Sequence, residues 1–264
     1  MLKLGKKVGY GWSSEVFDLN ENQVIKLFFK EFPKKEIDRE FEITKKINGA
    51  SLPAPKVFEM VDHEGRIGII YEKVVGRSLV RFLPDNALMM NKYAKSLATI
   101  HAQIHNTKID GLGSQKELYE EWISANEFIT NDQKKSVLGI LKELPEGDKL
   151  CHNDFHPPNI FMTKNGEVII DWISARIGNP YADVAYTEMI IRMGDLFMIP
   201  YGRTRIKMGR IFFSKLYRRH YLKLNPGDWE EVKRWMPVLI AARFVYKFKA
   251  EIPILKRMLR LALR

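Results

Sequence analysis

Cysteine is nearly missing from this sequence: of 264 residues only Cys151 carries a thiol. That excludes an internal disulfide framework and fits a reducing compartment. Long apolar runs are missing too. No window reaches the ~18 consecutive apolar residues of a membrane helix, and Met1 to Lys7 lacks the apolar stretch of a signal peptide, so the expectation is a soluble cytoplasmic protein. Neither an internal repeat nor a low-complexity segment is visible. Disorder is not indicated, since 45% hydrophobic residues suffice for a buried core in one large domain or two lobes. Acidic side chains are scarce in one region only: residues 201–264 hold 17 Lys or Arg against 4 Asp or Glu, within a net charge of +11.

What the chain does have is the stretch Cys151-His152-Asn153-Asp154-Phe155-His156-Pro157-Pro158-Asn159-Ile160-Phe161, followed by Ile169-Ile170-Asp171-Trp172. Asp154, Asn159 and Asp171 put three oxygen-bearing side chains on strand ends and a loop. The five-residue step from Asp154 to Asn159 is the step of a kinase catalytic loop, in which Asp takes the proton of the attacking hydroxyl, Asn holds Mg²⁺ and a later Asp bridges metal to phosphate. Mg²⁺ prefers such oxygen ligands. Cys151, in an apolar run before the motif, reads as structural rather than as a nucleophile.

HNDFHPPNIF and IIDWISARIGNPYADVAYT resemble the aminoglycoside phosphotransferase and choline kinase group of kinase-like enzymes. Asn153 and Pro158 stand where that group commonly has Gly, and Ile173 stands where an acidic residue often follows the Asp-Trp pair. The resemblance implies an α+β, two-lobed protein-kinase-like fold: residues 1–75 as a small antiparallel sheet with one helix that binds nucleotide, and 76–264 as a mostly helical lobe with the catalytic loop and acceptor site. It implies a small-molecule kinase that transfers the γ-phosphoryl group of ATP or GTP to a hydroxyl. Asp154 would be the catalytic base, and Asn159 and Asp171 the Mg²⁺ ligands. Beside this reading stand a nucleotide-binding pseudokinase scaffold and, from the basic tail, a nucleic-acid-binding protein.

The rest of the chain is ordered to suit. Val8 to Phe17 reads as strand, turn, strand, with Gly9 and Gly11 giving tight geometry and Ser13 and Ser14 offering groups to phosphate. Gln23 to Phe29 is an alternating strand that carries Lys26, the candidate for the α- and β-phosphates. Pro33 opens a helix over Lys34 to Ile47, in which Glu40 is the favoured partner of Lys26, with Glu36 and Glu42 as rivals. Lys56–Asp62 and Arg66–Tyr71 form a hairpin that completes a five-stranded sheet. Glu72 to Gly76 resembles the group's hinge, so the base should meet the backbone of Glu72 and Val74, with Tyr71 at the entrance to its pocket or packed in the core.

Asn91 to His105 has Tyr93, Leu97, Ile100 and Ile104 at helical spacing. His101 and His105 on it could be half a metal site, but no third ligand lies nearby in sequence, so they read as core histidines. Helices are predicted over 116–128, 132–144, 182–192, 205–222, 228–249 and 252–263, a strand over 149–151, and a hairpin over 160–163 and 167–171. Asp183 resembles a residue that braces the catalytic loop and also suits a helix N-cap. Aminoglycosides are polycations and should be met by carboxylates. The basic excess in 201–264 therefore argues for a neutral or anionic acceptor, or for contact between this lobe and an anionic surface, unless Asp195, Asp228, Glu230 or Glu231 line a local acidic pocket.

Overall fold

The computed structural model describes residues 2–82, 87–193 and 203–264. In chain order its elements are β1 (Lys7–Tyr10), β2 (Ser14–Asp18), β3 (Gln23–Phe28), α1 (Lys34–Gly49), β4 (Val57–His63), β5 (Arg66–Glu72), β6 (Gly76–Ser78) and α2 (Ala87–Asn106). Then come α3 (Gln115–Ser124), α4 (Asn131–Glu143), β7 (Lys149–Cys151), β8 (Ile160–Thr163), β9 (Gly166–Ile169) and β10 (Arg176–Gly178). The chain ends in α5 (Pro180–Met193), α6 (Arg203–Leu224), α7 (Trp229–Arg234), α8 (Met236–Arg243) and α9 (Ile252–Ala262). It divides into two compact units, Met1–Leu79 with Pro158–Ser174, and Val80–Pro157 with Ala175–Arg264. No helix among the described residues is long and apolar enough to cross a membrane.

The first unit is built on an antiparallel sheet in the order β1-β2-β3-β5-β4. Successive side chains of a strand point to opposite faces, and β3 uses both. Ile25 and Leu27 join Ile70 in one apolar cluster, while Phe28 packs with Ile37 of α1, Ile69 and Tyr71 in the other. Lys26 therefore shares the α1 face with Phe28, and its ammonium lies 5.3 Å from that ring. Helix α1 begins at Pro33 and buries Ile37, Glu40, Ile43, Thr44 and Ile47. That places one carboxylate inside an otherwise apolar stripe.

The same unit holds a three-stranded sheet in the order β6-β8-β9. Sequence reasoning did not foresee β6. It pairs Gly76 with Thr163, and a Cβ at Gly76 would lie 2.5 Å from the Met162 carbonyl oxygen, so only glycine allows this approach. The β8–β9 turn closes on Gly166 at φ 113, and the register Ile160↔Ile169 sets Asn159 and Ile170 opposite each other at the hairpin's open end.

In the second unit α2 buries Tyr93, Leu97, Ile100 and Ile104, the stripe expected from its spacing. Ser114 caps α3, and Thr130 with Gln133 forms a capping box on α4. Strands β7 and β10 pair antiparallel. Two expectations are corrected here. The single helix predicted over 228–249 is divided into α7, α8 and a 3₁₀ turn at Phe244–Tyr246, because Pro237 has no amide to continue α7 and Lys247 takes a left-handed φ of 51°. Asp183 is not a cap: α5 starts at Pro180, its Tyr181 amide donates to the Asn179 side chain, and Asp183 lies inside the first turn.

Candidate functional site

In the first unit one cation is held between two carboxylates. The Lys26 ammonium donates to both Glu40 oxygens, at 2.7 and 2.9 Å, and to Asp171 at 3.1 Å. Glu36 pairs instead with Arg39 and Glu42 with Lys45, so neither rival reaches Lys26. Burial pulls the Lys26 ammonium down, but Asp171 and Glu40 more than reverse this and hold it protonated. Burial raises the Glu40 carboxyl above its usual range, and Lys26 with the Tyr71 hydroxyl works against that. Tyr71 is thus not at the entrance of a pocket. Its ring is buried in the α1-facing cluster and its hydroxyl donates to Glu40 Oε1 at 2.8 Å.

Asp171 lies two residues past the end of β9, not on the strand, with φ at 66°. A left-handed residue other than glycine costs roughly 1–2 kcal/mol, and Asp tolerates it better than most. Two bonds fix the hairpin end. The Ile170 amide donates to the Asn159 carbonyl at 2.9 Å, and the buried Trp172 donates its indole N–H to Ile169 O at 2.9 Å while its turn packs on α1. The side chain of Asp171 remains 38% exposed, enough to meet a ligand. Asn159 and Asp171 together offer an amide and a carboxylate oxygen set at one hairpin end, a donor set that fits a hard divalent cation such as Mg²⁺.

The other residues predicted to meet nucleotide are placed as follows. Gly9 sits in β1 opposite Val16, and Gly11 closes the turn by donating to Ser14 O at 2.9 Å. Neither takes a left-handed backbone angle. Ser13 is half-buried and its carbonyl accepts from the Phe29 amide at 3.0 Å, while Ser14 is buried in β2. In the hinge segment the Glu72 amide donates to Lys56 O and the Lys73 amide to Asn22 O, each at 2.8 Å, and Val74 follows half-buried.

The second unit handles its carboxylates differently. Asp154 sits just past β7, its amide donating to His152 Nδ1 at 3.2 Å and its carboxylate 3.3 Å from His156 Nε2. Burial pushes the Asp154 carboxyl up, and His156, with Arg243 and His152 acting on it, more than reverses this, so it stays below its usual range. The neighbouring Asn153 takes φ 61°, a left-handed angle that favours glycine. Its side-chain oxygen accepts from Gln115 Nε2 at 2.7 Å and from the Tyr119 hydroxyl at 2.8 Å. Gln115 in turn accepts the Asn179 amide at 2.9 Å. Sequence reasoning missed Gln115 and Tyr119; the one signal was the Asn at a glycine position.

Behind the loop, Asp183 accepts from the His152 amide at 2.6 Å and the Asn153 amide at 2.9 Å. His101 and His105 point Nε2 at the same carboxylate, at 3.1 and 3.3 Å, and each has Nδ1 on a tyrosine hydroxyl, Tyr217 and Tyr221, at 2.6 Å. The third group that sequence spacing did not supply to the histidines is therefore Asp183. Burial raises the Asp183 carboxyl, and the two histidines more than reverse it, leaving it far below its usual range. Burial lowers His101 to about 4, so it is neutral at neutral pH. Cys151 is buried and burial pushes its thiol well up, which removes it as a nucleophile.

The acidic residues of 201–264 are all committed. Asp228 caps α7, Glu230 pairs with Lys233 at 2.6 Å, Glu231 with Arg234 at 3.8 Å, and Glu251 holds Arg243 through two bonds at 2.9 and 3.1 Å. Asp195, the fourth residue considered for an acidic pocket, lies outside the described residues.

Among curated proteins, acyl-CoA dehydrogenase family member 11 of Rattus norvegicus is 28% identical over 179 residues, which is 58% of this chain and 23% of that protein. Acyl-CoA dehydrogenase family member 10 of Mus musculus is 26% identical over 218 residues, 72% of this chain and 20% of that protein. The chain thus spans under a quarter of the length of these relatives. Among solved structures, a thermostable mutant of aminoglycoside phosphotransferase APH(4)-Ia, in complex with ADP and hygromycin B, has a TM-score of 0.67 at 14% identity, covering 99% of this chain and 93% of the other. The amicoumacin kinase hAmiN, in complex with AMP-PNP, Ca²⁺ and Ami, has a TM-score of 0.66 at 13% identity, covering 98% and 87%. These likenesses establish the kinase-like fold, a five-stranded antiparallel sheet with a mostly helical remainder. The pattern that defines the phosphotransferase enzyme family APH matches residues 5–203, and the chain belongs to that family.

Proposed function

We propose that this protein is a small-molecule kinase that transfers the γ-phosphoryl group of ATP or GTP to a hydroxyl. The observation that carries the reading is the Lys26–Glu40–Asp171 cluster, because a lysine shared by two carboxylates is held charged and aimed for phosphate oxygens. Residues 1–75 bind the nucleotide in this reading, the loop from Gly9 and Gly11 to Ser13 and Ser14 lying over the phosphates and the backbone of Glu72 and Val74 meeting the base. Asn159 and Asp171 would hold Mg²⁺, which supplies charge neutralisation at the phosphates when bound. Asp154, on the 76–264 part of the chain, orients the acceptor hydroxyl and takes its proton. Its lowered pKa keeps it ionised and ready to accept. Placement and charge stabilisation then account for the rate.

The acceptor we assign is neutral or anionic. Support comes from the groups that act on Asp154, which are His156, Arg243 and His152, all of basic residue types, and from the commitment of the described acids in 201–264 to caps and ion pairs. The test is Mg²⁺-dependent transfer to a panel of hydroxylated compounds that includes sugars, hydroxy acids and kanamycin. Asp154→Asn should lower turnover by roughly 10²–10⁴-fold with nucleotide affinity little changed, whereas Asp171→Ala should weaken Mg²⁺-nucleotide binding as well. Near-normal turnover in a folded Asp154→Asn protein would remove its role. Efficient phosphorylation of kanamycin at physiological salt would overturn the acceptor assignment.

A further inference from the structure

Tyr71 has a packing reason to be large and apolar but no packing reason to carry a hydroxyl. It closes the cluster of Phe28, Ile37 and Ile69, where a phenylalanine ring would fill the same space. A buried hydroxyl is costly unless it is bonded, and here the partner is a carboxylate that is itself 2% exposed. The pairing is therefore an arrangement between two buried polar groups, not a surface accident.

The donor count at Lys26 shows what the hydroxyl can do. The ammonium has three N–H groups, and the three short contacts to Glu40 Oε1, Glu40 Oε2 and Asp171 use all of them. To grip a phosphate, Lys26 must turn at least one of these bonds away from a carboxylate. Asp171 is partly exposed and can take water or a cation in exchange, but Glu40 cannot. The charged groups facing Glu40 are Lys26 from β3 and, through that lysine, Asp171 beyond β9. Tyr71 from β5 supplies the remaining donor, on the same Oε1 that Lys26 uses at its shortest contact. Tyr71 also directly precedes Glu72, so it joins the base-binding segment to the phosphate-binding pair.

We propose that Tyr71 is a positioning residue for phosphoryl transfer: its hydroxyl holds Glu40 in place so that Lys26 can swing onto a phosphate and still be braced. The inference rests on the phosphotransferase reading above and adds to it a residue that reaches the nucleotide only through Glu40 and Lys26. It also replaces the sequence expectation that Tyr71 stands at the entrance to the base pocket.

The test is a double-mutant cycle of Tyr71→Phe, Glu40→Gln and both, read by calorimetric binding of Mg²⁺-ADP and by thermal melting. Tyr71→Phe keeps the ring, so a role in packing alone would leave nucleotide affinity unmoved. We expect it to weaken Mg²⁺-ADP binding by about 10–20-fold in the parent background, the lower end of the worth of a hydrogen bond to a charged group, and by less than about 2-fold when Glu40→Gln is present. Equal effects in both backgrounds, or none in either, overturn the inference. A parent protein that binds no nucleotide overturns the phosphotransferase reading instead, and Tyr71 is then judged by acetylation of Lys26 with acetic anhydride, followed by mass spectrometry. A several-fold slower reaction in Tyr71→Phe supports the brace, because Glu40, without its second donor, keeps the Lys26 ammonium more tightly paired and protonated. An unchanged rate overturns it.

Discussion

Both units bury a carboxylate beside functional residues, and they neutralise it by opposite means. Glu40 and Asp171 of the first are held by the Lys26 ammonium, which in the proposed function also serves a ligand. Asp183 of the second is held by two backbone amides and two imidazoles, none of which is asked to move. The difference follows from the tasks proposed for them. A lysine that meets phosphate must leave its partner, so its site is ionic, adjustable and partly wet. A loop that aims one carboxylate, Asp154, gains from fixed dipoles at short range, because preorganised groups need not reorganise during the reaction.

The comparison breaks most sharply at Asp183. An Asp183→Asn side chain would turn an amide N–H₂ toward at least one of four donors, so we expect a loss of about 3–5 kcal/mol of stability, the usual cost of removing one partner from a buried charged network. Glu40→Gln should cost less, since a glutamine oxygen can still accept from Tyr71 and Lys26. Urea unfolding of the two variants checks the order, and an Asp183→Asn loss no greater than that of Glu40→Gln would show that the second unit's cluster is not the more rigid one.

Next in size is a loss of stability on acidification at the second unit's cluster, opposite in sign to that of Glu40, whose raised carboxyl favours the folded state as pH falls. His101 is lowered by burial from 6.5 to about 4. Because its folded pKa lies below its unfolded one, the unfolded chain takes up the proton first as pH falls. The stability it contributes is complete above about pH 6.5 and is lost as pH falls toward 4, at most ~3 kcal/mol. Asp183, lowered as well, adds to the loss only below about pH 4. Unfolding free energies of Glu40→Gln between pH 8 and pH 4 measure this without the opposing carboxyl, and a curve flat across that range would mean that His101 is not buried neutral.

The smallest effect is expected at Asn153. Asn153→Gly restores the residue common in related enzymes and relieves the left-handed angle, but it removes the bonds from Gln115 and Tyr119 and leaves those buried donors without their acceptor. We expect a net loss of about 1–2 kcal/mol and slower turnover with an unchanged nucleotide affinity. A more stable and equally active glycine variant would mean that the side-chain clamp does not position Asp154.

Much of this was legible in the residues themselves. Alternation in Gln23–Phe28 put Lys26 on a defined strand face, the 3.6-residue period put Glu40 on the buried stripe of α1, and the Asp154 to Asn159 spacing marked the loop proposed to be catalytic. What failed did so for local reasons of the same kind. Asp183 looked like a cap because Asp is good at caps, but Asn179 reached the free amide of α5 first. The predicted helix over 228–249 ignored Pro237.

Residue types and their order are enough to say which chemistry is on offer: oxygen ligands, a lone lysine in an apolar strand, a single thiol in an apolar run, and a surplus of cations in residues 201–264. These follow from residue type and short-range periodicity, which are properties of neighbours along the chain. The partners are set by folding over long range. Lys26 and Asp171 are 145 positions apart, His101 and Tyr217 are 116 apart, and Tyr71 meets Glu40 across 31 residues. No local pattern encodes such a meeting, because burial selects partners by what the folded core brings within about 3 Å, and a buried charge or hydroxyl then has no water to turn to.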